Sequence, residues 1–280
     1  MKRCIAVLLT VFNRKEKTIA CLRSIYAQEG FEDNDIYIFI VDGGSEDATP
    51  EAIKVEFPNV HVSVHDGLFW AGGMRQAWRE ALDYRQDYDY LWLLNDDTTL
   101  YPQCLKSLID TETKYPNGIY IGATCDSKTK NYSYGGIKLQ NRNYSKGNIV
   151  IPNGQYQRVD MGNANIMLVS RTAYDQLGTF CDVYTHGIAD YDYTLRAIDK
   201  KIPVILAPNY CGECIDDHGN NWIPQNRPLK ERIKYLYSPK GLAYKEYLYW
   251  IKTFFPKEYY SAKLKLWGKT LFPVIWEKFK

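Results

Sequence analysis

No stretch of 18 apolar residues occurs in this 280-residue chain, so no segment is read as spanning a bilayer. The glycine fingerprint G-x-G-x-x-G and the P-loop are both missing, which disfavours dinucleotide binding and ATP hydrolysis. There are no internal repeats and no low-complexity tracts. A cleavable secretion signal is not expected either: the apolar part of Met1–Leu9 is too short, and Asn13–Lys17 interrupts it. The seven cysteines are odd in number and scattered, and are read as reduced thiols of a cytosolic protein. Cys211-x-x-Cys214 with His218 falls short of the four ligands of a structural zinc site.

Net charge is close to balanced, at +2, but unevenly spread. From Arg227 to Lys280 there are 13 Lys/Arg against 4 Asp/Glu, net +9, which leaves −7 on the preceding 226 residues. A basic tail on an acidic body points to an anionic surface as the tail's partner. Aromatics are plentiful, with 24 Tyr, 10 Phe and 7 Trp, but cores, interfaces and carbohydrate sites all use them.

Strand and helix patterns alternate through the first hundred residues. Strands are predicted at Cys4–Thr10, Tyr37–Val41, Val60–Val64 and Tyr90–Leu94. Helices are predicted over Lys17–Gln28, from Thr49 to Phe57, and over Gly72–Tyr84, where Met74, Ala77, Trp78, Ala81 and Leu82 share a face. This is the order of an α/β, doubly wound, mostly parallel sheet. The middle is less regular. Asn131–Gln157 reads as hairpins or a mobile excursion, followed by a strand at Asn165–Val169 and a helix at Arg171–Leu177. A further helix is expected at Asp190–Lys200 and a strand near Val204–Leu206. Prolines divide the tail into short helices, giving a division into a body of residues 1–226 and a basic, aromatic-rich helical tail of residues 227–280.

In a parallel sheet, ligands bind at the carboxyl ends of the strands. Four polar clusters fall there: Thr10–Arg14, Asp42–Ser45, Phe69–Gly73 and Asn95–Asp97. The last follows the apolar run Tyr90–Leu94. Adjacent carboxylates repel unless a cation joins them, and hard oxygens suit Mg2+ or Mn2+. A solvated turn capping the next helix is the alternative. Asp42 is placed to accept hydrogen bonds from a ribose or a base, and Gly72-Gly73 to let a diphosphate approach a helix start.

Thr10-Val11-Phe12-Asn13-Arg14, then Val41-Asp42-Gly43-Gly44-Ser45, then Leu94-Asn95-Asp96-Asp97-Thr98, together resemble a family 2 glycosyltransferase of the GT-A fold. The resemblance covers about the first 200 residues. It implies an inverting transfer of a sugar from a nucleotide-diphosphate donor to a hydroxyl of a glycan. It also implies that the acceptor is a lipid-linked saccharide of a surface polysaccharide, and that Mg2+ or Mn2+ is the cofactor. Thr10, Phe12 and Arg14 would line the base pocket, and Asp42 would contact the nucleoside. Asn95-Asp96-Asp97 stands at the D-x-D position with Asn in place of the first Asp. Asp97 is then the expected metal ligand, with Asp96 facing ribose or donor sugar. Trp70–Ala77, which holds Gly72, Gly73 and Arg75, resembles the donor-side helix start of rhamnosyl- and related transferases.

In the same family an E-D-x-D set precedes an apolar stretch and Arg. Here it reads Ala189-Asp190-Tyr191-Asp192, with Arg196 following. Inversion needs one base to take the acceptor proton. Asp190 is the expected base and Asp192 the alternative, and simple capping of the helix by both is a further reading. Met161–Asn165, with Gly162 and Asn163, resembles the acceptor side of such pockets, although a structural turn reads nearly as well. His218 fits a late histidine that completes the metal shell, and a surface histidine is the alternative.

The tail interleaves lysines with Tyr, Trp and Phe, as interfacial helices do. This suggests peripheral attachment to the inner face of the cell membrane, against the alternative that the aromatics pack on the body. No nucleic-acid fold accompanies it, so no nucleic-acid partner is expected. Two other functions fit less well. A nucleotidyltransferase would need a Gly-rich loop after the first strand, and Thr10–Arg14 holds no Gly. A non-catalytic glycan-binding protein would explain Asn95 and Ala189.

Overall fold

Eight residues in a row, Cys4–Val11, are buried, and they form the central strand β1. A strand apolar on both faces must be covered on both, and the chain does this with alternating helices. A computed structural model describes residues 2–216 and 227–274. In it β1 is followed by α1 (Lys15–Tyr26), β2 (Asp35–Asp42), α2 (Thr49–Glu56), β3 (His61–Val64), α3 (Trp70–Tyr84) and β4 (Tyr90–Leu94). The pairs β1–β2, β2–β3 and β1–β4 are parallel. Period-two alternation divides the core. Ala6 and Leu8 join Met74, Ala77, Trp78 and Ala81 of α3 on one face. Ile5, Val7 and Leu9 join Ile19, Leu22 and Ile25 of α1 on the other.

The chain then runs through β5 (Thr99–Leu100), α4 (Cys104–Lys114), β6 (Ile119–Cys125), β7 (Tyr132–Tyr134), β8 (Gly136–Leu139) and β9 (Gly147–Val150). It continues through β10 (Gln157–Arg158), β11 (Met161–Gly162), β12 (Ile166–Ser170), α5 (Arg171–Leu177), α6 (Ala189–Asp199) and β13 (Val204–Glu213). The main sheet has the order β10-β13-β6-β12-β4-β1-β2-β3. β12 enters antiparallel between β4 and β6, while β13 lies parallel to β6. The sheet is thus mostly parallel with antiparallel insertions, as the GT-A resemblance implied. The region expected as hairpins, Asn131–Gln157, supplies β7 to the main sheet, and β8 and β9 to a separate three-stranded sheet that β11 completes.

The elements between β4 and β7, chief among them α4 and β6, are not among those expected from the sequence. α4 buries Leu105, Leu108 and Ile109 at helical spacing, and all seven residues of β6 are buried. β13 extends to Glu213, well past Leu206, through irregular register with β6. This carries Cys211 into the strand and leaves Cys214 just beyond its end.

Three tail helices follow: α7 (Leu229–Tyr237), α8 (Tyr244–Phe254) and α9 (Tyr259–Leu271). Leu236, Leu248, Trp250, Ile251, Phe255, Ala262 and Leu266 are buried in the same apolar cluster as α3 and α6. Among the described residues, no helix is long and apolar enough to cross a membrane.

Candidate active site

Because β1, β2 and β4 run parallel, their carboxyl ends bring three of the expected clusters to one edge. Arg14 Nη1 donates to Asp97 Oδ2 at 2.7 Å and to Asp96 Oδ1 at 3.3 Å. Lys17 Nζ lies 4.0 Å from Asp97 Oδ2. The two adjacent carboxylates therefore meet two cations, which relieves their repulsion. Thr18 Oγ1 also donates to Asp96 Oδ2, at 3.3 Å. Asp96 is only 4% exposed, and burial pushes its carboxyl up to about 7, opposed by Arg14 and assisted by Asp97. Asn95 Oδ1 accepts the indole N–H of Trp70 at 2.8 Å.

Asn13 holds the loops after β1 and β2 together. It adopts φ +52°, a left-handed conformation that Asn tolerates. Its N–H donates to Ser45 Oγ at 2.8 Å, and its Oδ1 accepts from Glu46 N at 2.8 Å. Asp42 is fully buried at the end of β2. Its Oδ1 accepts from Gly44 N at 2.8 Å and Ser45 N at 2.6 Å, whereas Oδ2 has no hydrogen-bond partner among the described residues.

The two glycines of α3 differ. A Cβ on Gly73 would lie 2.1 Å from Thr10 Oγ1, so α3 can cross β1 this closely only with glycine there. Gly73 also spends its N–H on Phe69 O, at 2.8 Å. At Gly72 the nearest atom to a Cβ would be Leu68 Cδ2 at 3.4 Å, an ordinary contact. Arg75 donates to the carbonyls of Cys181 (3.1 Å) and Tyr184 (2.8 Å), with its Nε 3.1 Å from Asp182 Oδ1. Its guanidinium pins the segment 181–184 to α3.

A cavity of about 250 Å3 opens at this edge. Thr10, Phe12, Arg14 and Asp96, all singled out in the sequence, line it together with Phe69, Trp70, His186 and Lys240. Phe69 and Trp70 lie inside a cluster already singled out, and His186 stands three residues before the Ala189–Asp192 set. Lys240 comes from the tail, and no local pattern signals it.

The second cluster forms at the start of α6. Ile188, just before this helix, has φ +72°. Asp190 Oδ2 accepts from Ala164 N at 3.2 Å and from Asn163 Nδ2 at 3.4 Å, and Oδ1 accepts from Tyr191 N at 2.9 Å. Burial pushes the Asp190 carboxyl up, and these hydrogen bonds oppose the shift. Asp190 and Asn163 are thus brought together from segments expected to serve base and acceptor. Gly162 lies buried between Ile121 and Thr194, whose Oγ1 accepts its N–H at 3.2 Å. Asp192 is 2% exposed. Its Oδ1 accepts from Tyr184 OH at 2.9 Å and its Oδ2 from Arg196 Nε at 2.7 Å. Arg196 in turn donates to Leu177 O and Thr179 O.

Asp97, the expected metal ligand, is engaged by Arg14 at 2.7 Å with Lys17 at 4.0 Å, while Asp96 is held by Thr18 and by the longer contact to Arg14. Cys214 Sγ lies 3.6 Å from Asp97 Oδ1. Among the described residues, no group of three or more His, Cys, Asp or Glu is arranged to hold a metal. One carboxylate completed by substrate phosphates and water fits Mg2+ habits. His218, the other expected ligand, lies outside the described residues.

The sequence model of glycosyl transferase family 2 matches residues 6–178. The chain belongs to this family. The match covers both strand-end clusters that Arg14 bridges, and stops short of α6. Solved structures that share the fold include a mannosyltransferase and a GalNAc-transferase. One is the mannosyltransferase PcManGT from Pyrobaculum calidifontis, in complex with GDP-Man and Mn2+. It has a TM-score of 0.52 and 15% identity over 84% of this chain and 61% of that one. The other is GalNAc-T7 with UDP, GalNAc and Mn2+. It has a TM-score of 0.59 and 12% identity over 76% of this chain and 43% of that one. The chain thus spans under two thirds of either neighbour's length. No curated protein matches it in sequence.

Proposed function

We propose that this chain is an inverting glycosyltransferase that moves a sugar from a nucleotide-diphosphate donor to a hydroxyl of a glycan acceptor. The observation that carries the reading is the placement of Arg14 and Asp96 in the lining of the cavity, with Asp97 bound to the same guanidinium. The apolar residues Phe12, Phe69 and Trp70 form other parts of its lining. An aromatic surface beside a charged one suits a base linked to a diphosphate. The unpartnered Oδ2 of Asp42 supports a donor group from the nucleoside as its partner, since a buried acceptor left alone is costly.

In this reading Asp190 takes the proton from the acceptor hydroxyl as its oxygen attacks the anomeric carbon, opposite the leaving diphosphate. Asn163 and the Ala164 N–H hold the carboxylate in place. Asp192 is buried and ion-paired to Arg196, whereas Asp190 is only partly buried and has no cationic partner among the described residues, which favours Asp190 as the base. Arg14 and Lys17 lie where they can shift from Asp97 to the negative charge that grows on the diphosphate. Mg2+ or Mn2+, held by Asp97, would supply further charge neutralisation of that leaving group.

The tail supports an anionic membrane surface as a second partner, in keeping with a lipid-linked acceptor and a place on the inner face of the membrane. On α9, Tyr260 and Leu264 are 78% and 73% exposed and stand one turn apart, with Leu271 two turns further on. Lys263 lies beside this stripe, and α9 buries Ala262 and Leu266 on another side.

A thermal-shift panel of nucleoside diphosphates and nucleotide sugars, with and without Mn2+, tests the donor site. Stabilisation by one base that needs Mn2+ and disappears in Asp97→Ala is the expected result. No shift with any nucleotide would overturn it, and binding without turnover on a glycan acceptor would favour a non-catalytic binding protein.

A further inference from the structure

The turn between α7 and α8 is tightly built. Gly241 N and Ala243 N both donate to Ser238 O, at 2.9 and 3.1 Å, and Leu242 N donates to Tyr235 O at 3.1 Å. A Cβ on Gly241 would lie 2.0 Å from Tyr235 O, so the turn closes this tightly only with glycine. Ala243 has φ +42°, a left-handed conformation on a non-glycine residue. Beyond the turn, Glu246 Oε2 accepts from Thr185 N at 3.0 Å, and the rings of Tyr249 and Tyr184 meet at 6.0 Å. These contacts fix α8 beside the segment that carries His186.

The turn therefore projects Lys240 into the cavity at the sheet edge. Its Nζ lies 5.7 Å from the ring centre of Phe12 and 5.9 Å from that of Phe69. Among the described residues it has no carboxylate partner. The charges of Asp96 and Asp97 are already met by Arg14 and Lys17. Lys240 is thus an uncompensated cation facing a pocket that combines aromatic and charged walls.

We propose that Lys240 is a donor-binding residue, and that the tail thereby completes the donor site of the body. Its ammonium exchanges the two aromatic faces for the diphosphate oxygens when the base occupies the space beside Phe12. Cation–π attraction at an exposed site is weak, and a charge-assisted hydrogen bond to phosphate is stronger, so the exchange is favourable. This inference rests on the donor-site reading above.

The test is titration calorimetry on the full chain with Mn2+, using the nucleoside diphosphate that stabilises it most and the matching nucleoside. Lys240→Ala is expected to weaken the diphosphate by about tenfold and the nucleoside by less than about twofold. Lys240→Arg should stay within roughly threefold of the parent, because the charge is kept. The lysine is exposed, so unchanged thermal midpoints in both variants would exclude misfolding. Unaltered diphosphate affinity in Lys240→Ala, or equal loss for nucleoside and diphosphate, would overturn the assignment alone. A parent chain that binds none of the nucleotides would overturn the donor-site reading and this assignment with it.

Discussion

Trp70 and Asn95, 25 residues apart in sequence, are joined by an indole N–H donating to Oδ1 at 2.8 Å. The bond ties the start of α3 to the end of β4 and sets the orientation of a ring that lines the cavity at the sheet edge. It also accounts for an amide at the first position of the D-x-D set. An amide accepts the indole proton without adding a third carboxylate beside Asp96 and Asp97.

Asn95→Leu should leave the indole unpaired and cost about 1–3 kcal/mol. Asn95→Asp should keep the acceptor but lose stability through like-charge repulsion, and regain it when Mn2+ is added. Chemical denaturation with and without Mn2+ checks both. Equal behaviour of the two variants, with no response to Mn2+, would show that the bond and the charge count do not matter.

Asp190→Asn should lower the transfer rate by about 10²–10⁴-fold while leaving nucleotide affinity unchanged. Asp192→Ala should instead destabilise the fold by about 3–5 kcal/mol, because it strands Arg196 in a partly buried network. The Asp190 carboxyl is pushed up by burial and must be ionised to act. Activity should therefore rise with pH through a limb above the usual carboxylate range. The linked stability has the opposite sign. A raised pKa favours the folded state at low pH, and that contribution fades as pH rises through the folded value. Asp190→Asn should accordingly be at least as stable as the parent at neutral pH. A pH–rate profile with its acid limb in the ordinary carboxylate range would remove Asp190 from the role.

Gly73→Ala should destabilise the chain by about 1–3 kcal/mol, since the added methyl would meet Thr10 and force α3 away from β1. Gly72→Ala has only an ordinary contact with Leu68 and should be tolerated in the fold. Comparing the two thermal midpoints separates a packing glycine from a neighbour that has room. Equal losses would contradict the geometry.

Leu264→Glu on α9 places a charge in the exposed stripe of Tyr260, Leu264 and Leu271. Sedimentation with vesicles containing anionic lipid should show binding by the parent and a large loss in the variant. Thermal stability should be spared, because Leu264 is 73% exposed. Failure of the parent to bind would refute membrane attachment through the tail.

The alternation of strands and helices and the polar clusters at the strand ends are legible in the chain alone. Both are read from periodicity and from abrupt changes of residue type within short windows. Leu105, Leu108 and Ile109 of α4 carried the same kind of signal at helical spacing, although the middle of the chain reads as irregular. Tertiary structure alone decided which polar groups meet. Arg14 reaches Asp97 across 83 residues, Asp190 and Asp192 take different partners on one helix, and Lys240 enters the cavity from the tail. Such contacts follow from strand order and helix crossing, which have no period along the chain. A lysine next to Pro239 looks like any solvated turn until the turn is packed against the sheet edge.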